Sequence, residues 1–201
     1  MIKNYYDKEF ELRYFEMNEF GVASPTTILT LLEETAADHC FSINYSLYQL
    51  GEQNIGWVLI SGFLQMERYP KYKEKITIRT WLSKYSAIKG FRENIIYDEQ
   101  NNIIGRAKGL WIFFDIERRR PIEIFSDIKD RWSFYNEEST DNYYLYSIDG
   151  RFLEEAHLGQ TIVSMTRNDT DEKMDKTFLH TIKIEGTDKV CATAKTIWRK
   201  I

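Results

Sequence analysis

The chain has 201 residues, 43% of them apolar and 15% aromatic, which is enough to bury one large core or two small ones and too apolar for a disordered segment. Its formal charge of -4 is spread over interspersed acidic and basic residues, which speaks against nucleic acid as a partner. No run approaches the roughly 18 uncharged apolar residues of a membrane span, Met1 to Asp7 has no apolar leader core, and Cys40 and Cys191 lie far apart without metal-ligand spacing, so the expectation is a soluble cytoplasmic protein with no metal and no cofactor.

The first strong element in chain order is a helix over Pro25 to Cys40, where Ile28, Leu31, Leu32, Ala36 and Cys40 recur at the spacing that builds one apolar stripe. Ser24 is a natural N-cap, and Pro25 suits the first helical position, which needs no donor. A polar-aromatic linker, Ser42 to Asn54, follows with a short helical turn at Leu47 to Leu50. From Trp57 the period changes to two, predicting strands over Trp57 to Glu67, Lys75 to Leu82, Gly90 to Asp98 and Ile103 to Ile116. Tyr69-Pro70-Lys71 and Glu99-Gln100-Asn101-Asn102 supply the turns, the second short enough for an antiparallel hairpin. One long helix followed by an antiparallel meander is an α+β pattern with the helix covering one face of the sheet.

Arg118-Arg119-Arg120-Pro121 closes this unit, and a connector runs to about Asn142 with one helical turn at Asp127 to Arg131. Extended segments return at Tyr143 to Leu153, Gly159 to Thr166, Thr177 to Glu185 and Lys189 to Arg199. A single constant offset, without gaps, lays Ala194-Lys195-Thr196-Ile197-Trp198 on Ala107-Lys108-Gly109-Leu110-Trp111 and Ile182 on Ile95. The later strands therefore read as a second copy of the earlier ones. The boundaries expected are a first unit at 1–121, a connector at 122–142 and an incomplete second unit at 143–201. No amphipathic helix of four turns is readable between Pro121 and Tyr143, so the second sheet lacks its helix in this reading. Either another chain covers that face, as in a homodimer, or the natural protein carries residues that this sequence does not.

These residues resemble the acyl-ACP thioesterases. Ser24-Pro25-Thr26-Thr27-Ile28 through Leu32-Glu33-Glu34-Thr35-Ala36-Ala37-Asp38-His39 is similar to that family's first helix. Gly56-Trp57-Val58-Leu59, Glu67-Arg68-Tyr69-Pro70, Ile76-Thr77-Ile78-Arg79-Thr80-Trp81 and Arg119-Arg120-Pro121 follow in the family's order. The similarity covers about Phe10 to Arg131 and resumes at about Phe152. It implies a tandem, or double, hotdog fold and hydrolysis of a fatty acyl group carried on acyl carrier protein (ACP). In that family the first unit accommodates the acyl chain and the second supplies the catalytic groups.

The sequence departs from the family where most of those groups belong. The expected Asp-x-Asn-x-His segment occurs nowhere, and Thr140-Asp141-Asn142 is at most a remnant of it. Phe152-Leu153-Glu154-Glu155-Ala156 resembles the family's strand around its acidic residue, which makes Glu155 the catalytic candidate and Glu154 the alternative. Thioester hydrolysis needs a positioned water, a base and donors to the oxyanion, and Glu155 would serve as the base or orient a histidine.

Other groups invite chemistry too. Asp38, His39 and Cys40 stand next to one another on a helix, so they point about 100° apart and cannot converge; His39 reads as structural or capping. Glu33 and Glu34 sit on the helix that the resemblance assigns to chain binding. His157 and His180 fall near strand ends. Of Trp57, Phe63, Trp81, Phe91, Trp111 and Phe113, most are core and some line an acyl tunnel. Arg118, Arg119 and Arg120, with Lys71, Lys73 and Lys75, offer positive charge to an acidic carrier protein. The missing segment leaves a second reading, a catalytically inactive acyl- or carrier-binding module, and a third, a hotdog hydrolase or dehydratase acting on acyl-CoA.

Overall fold

The structure is a computed structural model describing residues 5–131, 147–157, 159–168 and 175–199. Strand β1 (Tyr6–Glu11) leads through a 3-10 turn at Tyr14–Glu16 to helix α1 (Pro25–Ser42) and the short helix α2 (Leu47–Glu52). The meander follows as β2 (Ile55–Met66), β3 (Lys75–Tyr85), β4 (Lys89–Asp98) and β5 (Ile103–Asp115). A two-residue strand, β6 (Arg120–Pro121), and helix α3 (Ser126–Arg131) come next, then β7 (Ser147–Phe152), β8 (Ile162–Asn168), β9 (Asp175–Ile184) and β10 (Val190–Arg199).

Helix α1 starts as its sequence dictates. The Ser24 side chain accepts from the Thr27 backbone N–H at 3.0 Å, and Pro25 occupies the first turn. The helix runs two residues beyond Cys40 because the chain first turns back at Asn44, whose φ is +61°. Its apolar stripe lies on the sheet: Ile28, Leu31 and Leu32 are buried with Ile76, Ile78 and Ile96 in one core cluster. A second cluster, containing Cys40, Leu50, Leu82 and Phe113, is closed from below by Ile124 and Ile128. Those two residues fall in the expected connector, and they pack on the first unit.

All strands join one sheet, in the order β1, β3, β4, β5, β2, β7, β10, β9, β8, with β6 beside β5. Every described strand pair is antiparallel. The two copies meet at β2 and β7, where Gly62 pairs with Gly150, so the order on one side of the seam is mirrored on the other. Trp111 and Trp198 stand on corresponding strands, opposite Gly90 of β4 and Lys176 of β9. Register shifts in β2 at Leu59/Ser61, between β3 and β4 at Leu82/Lys84 and between β4 and β5 at Ile96/Tyr97 bend the first half around α1. This is the hotdog arrangement.

The second half is thinly covered among the described residues. Ile184 and Cys191 are buried there, whereas Phe152, Leu153, Ile162 and Met165 remain exposed. The stretch in which the sequence shows no second helix includes residues 132–146, which lie outside the described residues.

If the contact of α1 with the sheet carries the fold, Ile28→Ala should cost about 2–5 kcal/mol, while Leu29→Ala, on the exposed side of the same turn, should cost within about 0.5 kcal/mol. Denaturant midpoints of the two variants check this.

Candidate functional site

Between α1 and the sheet lies a cavity of about 150 Å³. Leu32, Glu33 and Ala36 of the helix roof it, and Gly62, Gly109 and Gly150 are part of its floor. A neighbouring cavity of about 110 Å³ shares Glu33, Ala36, Arg92 and Trp111 with it, and reaches Trp57, Leu82 and Gly90. The space is therefore one apolar tract with a few polar groups set into its wall.

The floor follows from strand register. Arg92 stands opposite Gly109, Gly109 opposite Gly62, Gly62 opposite Gly150, Gly150 opposite Ala194, and Ala194 opposite His180. Directly paired residues share a face. Arg92 of β4 and His180 of β9 thus lie on the same face of the sheet, separated by a row that carries no side chain larger than a methyl group. At Gly150 an added Cβ would meet nothing within 4 Å, whereas at Gly109 it would come within 2.7 Å of the Trp111 ring nitrogen. The row is thus a trough that is open at the seam, at Gly150, and overlain at Gly109 by the Trp111 ring and Leu59.

At the helix end of the trough the polar wall is tightly built. Arg92 is buried, and its Nη1 donates to His39 Nδ1 at 3.0 Å and to Thr80 Oγ1 at 3.0 Å. Arginine has no lone pair to offer, so Nδ1 of His39 must be the acceptor and the ring is neutral. Burial, and then the Arg92 charge, push His39 down to about 3. Tyr6 stacks on the same ring at 5.8 Å. Glu33 is exposed at the edge of the cavity, where partial burial raises its carboxyl, with the Arg92 charge acting against it.

His39 is structural, as expected, but through a buried contact with the sheet and not as a cap. Its neighbours diverge as helical geometry requires: Asp38 pairs with Lys8 at 2.6 Å, and Cys40 sits in the second core cluster, where burial raises its thiol. Glu34 also pairs with Lys8, at 2.7 Å.

Glu155 lies past the end of β7, outside the strand that the resemblance implied for it, because β7 stops at Phe152 and the chain leaves the ladder after Leu153 and Glu154 donate to the Cys191 carbonyl. It is exposed, forms an ion pair with Arg119, and has His157 Nδ1 3.8 Å from its carboxylate. Glu154 faces Lys189 at 3.7 Å. His180 is in the middle of β9 and not near its end, its ring nitrogens 3.1 Å from Thr166 Oγ1 and 2.8 Å from Thr196 Oγ1. Thr140-Asp141-Asn142 lies outside the described residues. No group of three His, Cys, Asp or Glu placed to hold a metal occurs among the described residues, and no helix among them is long and apolar enough to cross a membrane.

Of the aromatics, Phe113 and Trp81 are core, whereas Trp57, Phe63 and Trp111 line the cavities and Phe91 is partly exposed. Sequence reasoning missed Arg92, Asn94 and the glycine row. Glycine inside a strand is the signal that pointed to the row, since it marks a place where something approaches the backbone closely.

Residues 3–132 match the family model described as the acyl-ACP thioesterase N-terminal domain. The chain belongs to this family. It is similar to the chloroplastic oleoyl-acyl carrier protein thioesterase of Coriandrum sativum, 26% identical over 134 residues, which is 63% of this chain and 36% of that protein. The chain spans about a third of the length of the curated relatives it matches. Among solved structures, an acyl-ACP thioesterase from Bacteroides thetaiotaomicron superposes with a TM-score of 0.82 at 15% identity, over 98% of both chains. The 12:0-ACP thioesterase of Umbellularia californica does so with a TM-score of 0.82 at 14% identity, over 98% of this chain and 94% of that one. These superpositions establish the double hotdog fold.

The neutral His39 has a pH consequence. Between pH 6.5 and about 3 the unfolded chain binds a proton at this ring that the folded chain does not. Stability should therefore rise with pH across that window, by at most about 1.4 kcal/mol per unit. His39→Gln keeps an acceptor for Arg92 without the titration, so its unfolding free energy should change less steeply between pH 6.5 and 4.5 than that of the wild type, as chemical denaturation at each pH would read.

Proposed function

We propose that this acyl-ACP thioesterase family chain hydrolyses a fatty acyl-ACP thioester to a free fatty acid and holo-ACP. The observation that carries the reading is the apolar cavity under α1, which continues over the glycine row to β7, the strand whose chain runs on to Glu155 and His157. The division of labour goes with it: residues 1–121 hold the acyl tail, 122–142 connect, and 143–201 present the thioester for cleavage.

In this reading the tail lies in the cavity with its methylenes against Leu32, Ala36 and Trp111, each buried methylene contributing about 0.8 kcal/mol. Water attacks the thioester carbonyl, and the Glu155 carboxylate, directly or through the adjacent His157 ring, takes the proton from that water. The carbon–sulfur bond breaks, and the thiolate leaves and collects a proton, giving a free thiol and a carboxylic acid. Arg119 forms an ion pair with Glu155, while exposed Arg118 and Arg120 face an acidic carrier protein. Lys73 is less suited to docking, since Glu11 pairs with it at 2.8 Å. A cytoplasmic setting accords with the two free buried thiols, and a second copy of the chain would cover the exposed apolar residues of the second half.

The absent Asp-x-Asn-x-His segment favours a second reading, a module that binds acyl-ACP without turning it over. Release of free thiol from medium- and long-chain acyl-ACPs decides between them. Glu155→Gln should lower the rate about 10²- to 10⁴-fold; an unchanged rate would remove Glu155 from the chemistry, and no release from any acyl-ACP would leave the binding module. Gly150→Leu, which fills the trough, should raise KM for long chains by about tenfold or more while sparing short ones, measured on an acyl-ACP length series.

A further inference from the structure

The side of the sheet turned away from α1 carries a charge pattern of its own. Side chains alternate along a strand, so the neighbours of Arg92, Gly109, Gly62, Gly150 and Ala194 point to this back face. Strand pairing sets Glu93, Lys108, Phe63, Asp149 and Lys195 there in one row, which reads negative, positive, aromatic, negative, positive. Phe63 is the centre of the row, and β2, which bears it, is the middle strand, with four strands to either side in the sheet order. Lys108, Asp149 and Lys195 are exposed. Glu93 and Lys108 lie 3.4 Å apart, whereas Asp149 and Lys195, although opposite each other, form no ion pair together among the described residues. Beside the row, Phe63, Phe91 and Leu110 line an open groove of about 420 Å³, and Phe91 and Val58 are 37% and 45% exposed. Apolar surface gathered on one face in this way marks a contact with another protein.

We propose that this back face binds a second copy of the chain, in a two-fold dimer whose axis runs along β2. That axis lays the two nine-strand sheets back to back, at the spacing of about 10 Å usual for packed sheets. Phe63 then meets Phe63 of the other copy, Glu93 meets Lys195, and Lys108 meets Asp149, each ion pair occurring twice. In the adjoining row Leu110 meets Arg151 and Phe91 meets Thr193, so no like charges face one another. Moving the axis half a strand spacing toward β5 brings Glu93 onto Asp149, and half a spacing toward β7 brings Lys108 onto Lys195. Moving it a full strand brings Lys108, or Asp149, onto itself. The pattern therefore admits the central register and opposes its neighbours. An acidic partner would meet Glu93 and Asp149 on the same row, which favours the second copy as occupant. The aromatic and aliphatic side chains supply the affinity and the exposed charges the register. This contact goes beyond the hydrolysis and lies on the opposite side of the sheet from Phe152, which lines the cavity.

Sedimentation equilibrium of the full chain over a range of concentrations tests it. The mass should rise from 24.0 kDa to twice that value, and Phe63→Glu should return it to the monomer. Glu93→Lys and Lys195→Glu should each weaken the dimer about tenfold, and the double variant, which restores opposite charges, should recover to within about threefold of wild type. A monomer at every concentration, a dimer that survives Phe63→Glu, or a double variant no tighter than the single ones overturns the proposal. The charge swaps, which lie on the surface, decide the matter if Phe63→Glu does not fold. The readout is mass and not activity, so loss of this interface leaves the hydrolysis standing, and a chain that releases no thiol can still form the dimer.

Discussion

The constraint on which the rest depends is the seating of α1 in a sheet that must bend to hold it. Its buried stripe, Ile28, Leu31 and Leu32, meets Ile76, Ile78 and Ile96 without a gap, and this end of the interface is a packed core. Further along, the sheet offers Gly62 and Gly109 where side chains would otherwise fill the space, and the helix offers Ala36. The helix cannot drop into that gap, because its other end is fixed by the core and Arg92 stands against His39. A rigid helix on a floor of uneven height must leave a void, and the cavity under α1 is that void.

The two copies divide the work unequally. In the first, the strands curl over α1 and bury two apolar clusters, the second completed by Ile124 and Ile128 from the segment after β6. In the other, Cys191 and Ile184 are among the few buried apolar residues, and the ladder itself, from β2 to β7 and on to β8, carries the described order. A sheet held mainly by its own hydrogen bonds and by one seam is locally less stable than one wrapped around a helix.

Much of the fold was legible because it is encoded locally. The apolar stripe and Ser24-Pro25 announced α1, the switch to period two announced the meander, and Ala-Lys-x-aliphatic-Trp announced the repeat, which the strand order reproduces. What was not legible depends on partners distant in the sequence. His39 reads as a helix-end residue until β4 brings Arg92 to its ring, across 53 positions. Gly62, Gly109 and Gly150 read as isolated weak points until the register aligns them. The resemblance put Glu155 on a strand, whereas the extended pattern ran only to Leu153, and the backbone bonds of Leu153 and Glu154 to the Cys191 carbonyl mark where pairing stops.

The polar groups of the cavity bear on what the void is for. Burying a guanidinium is costly unless its donors are met, and the chain meets them with an imidazole that must then stay neutral and a threonine hydroxyl from the neighbouring strand. A leucine and a phenylalanine in place of Arg92 and His39 would close the same space at a lower desolvation cost. The retained polarity therefore costs stability that an apolar wall would not, and the contacts among Arg92, His39 and Thr80 offset that cost only while the imidazole stays neutral. In this cavity the helix–sheet core, the glycine row and the buried side chains of β4 together set the shape of the void and the polarity of its wall.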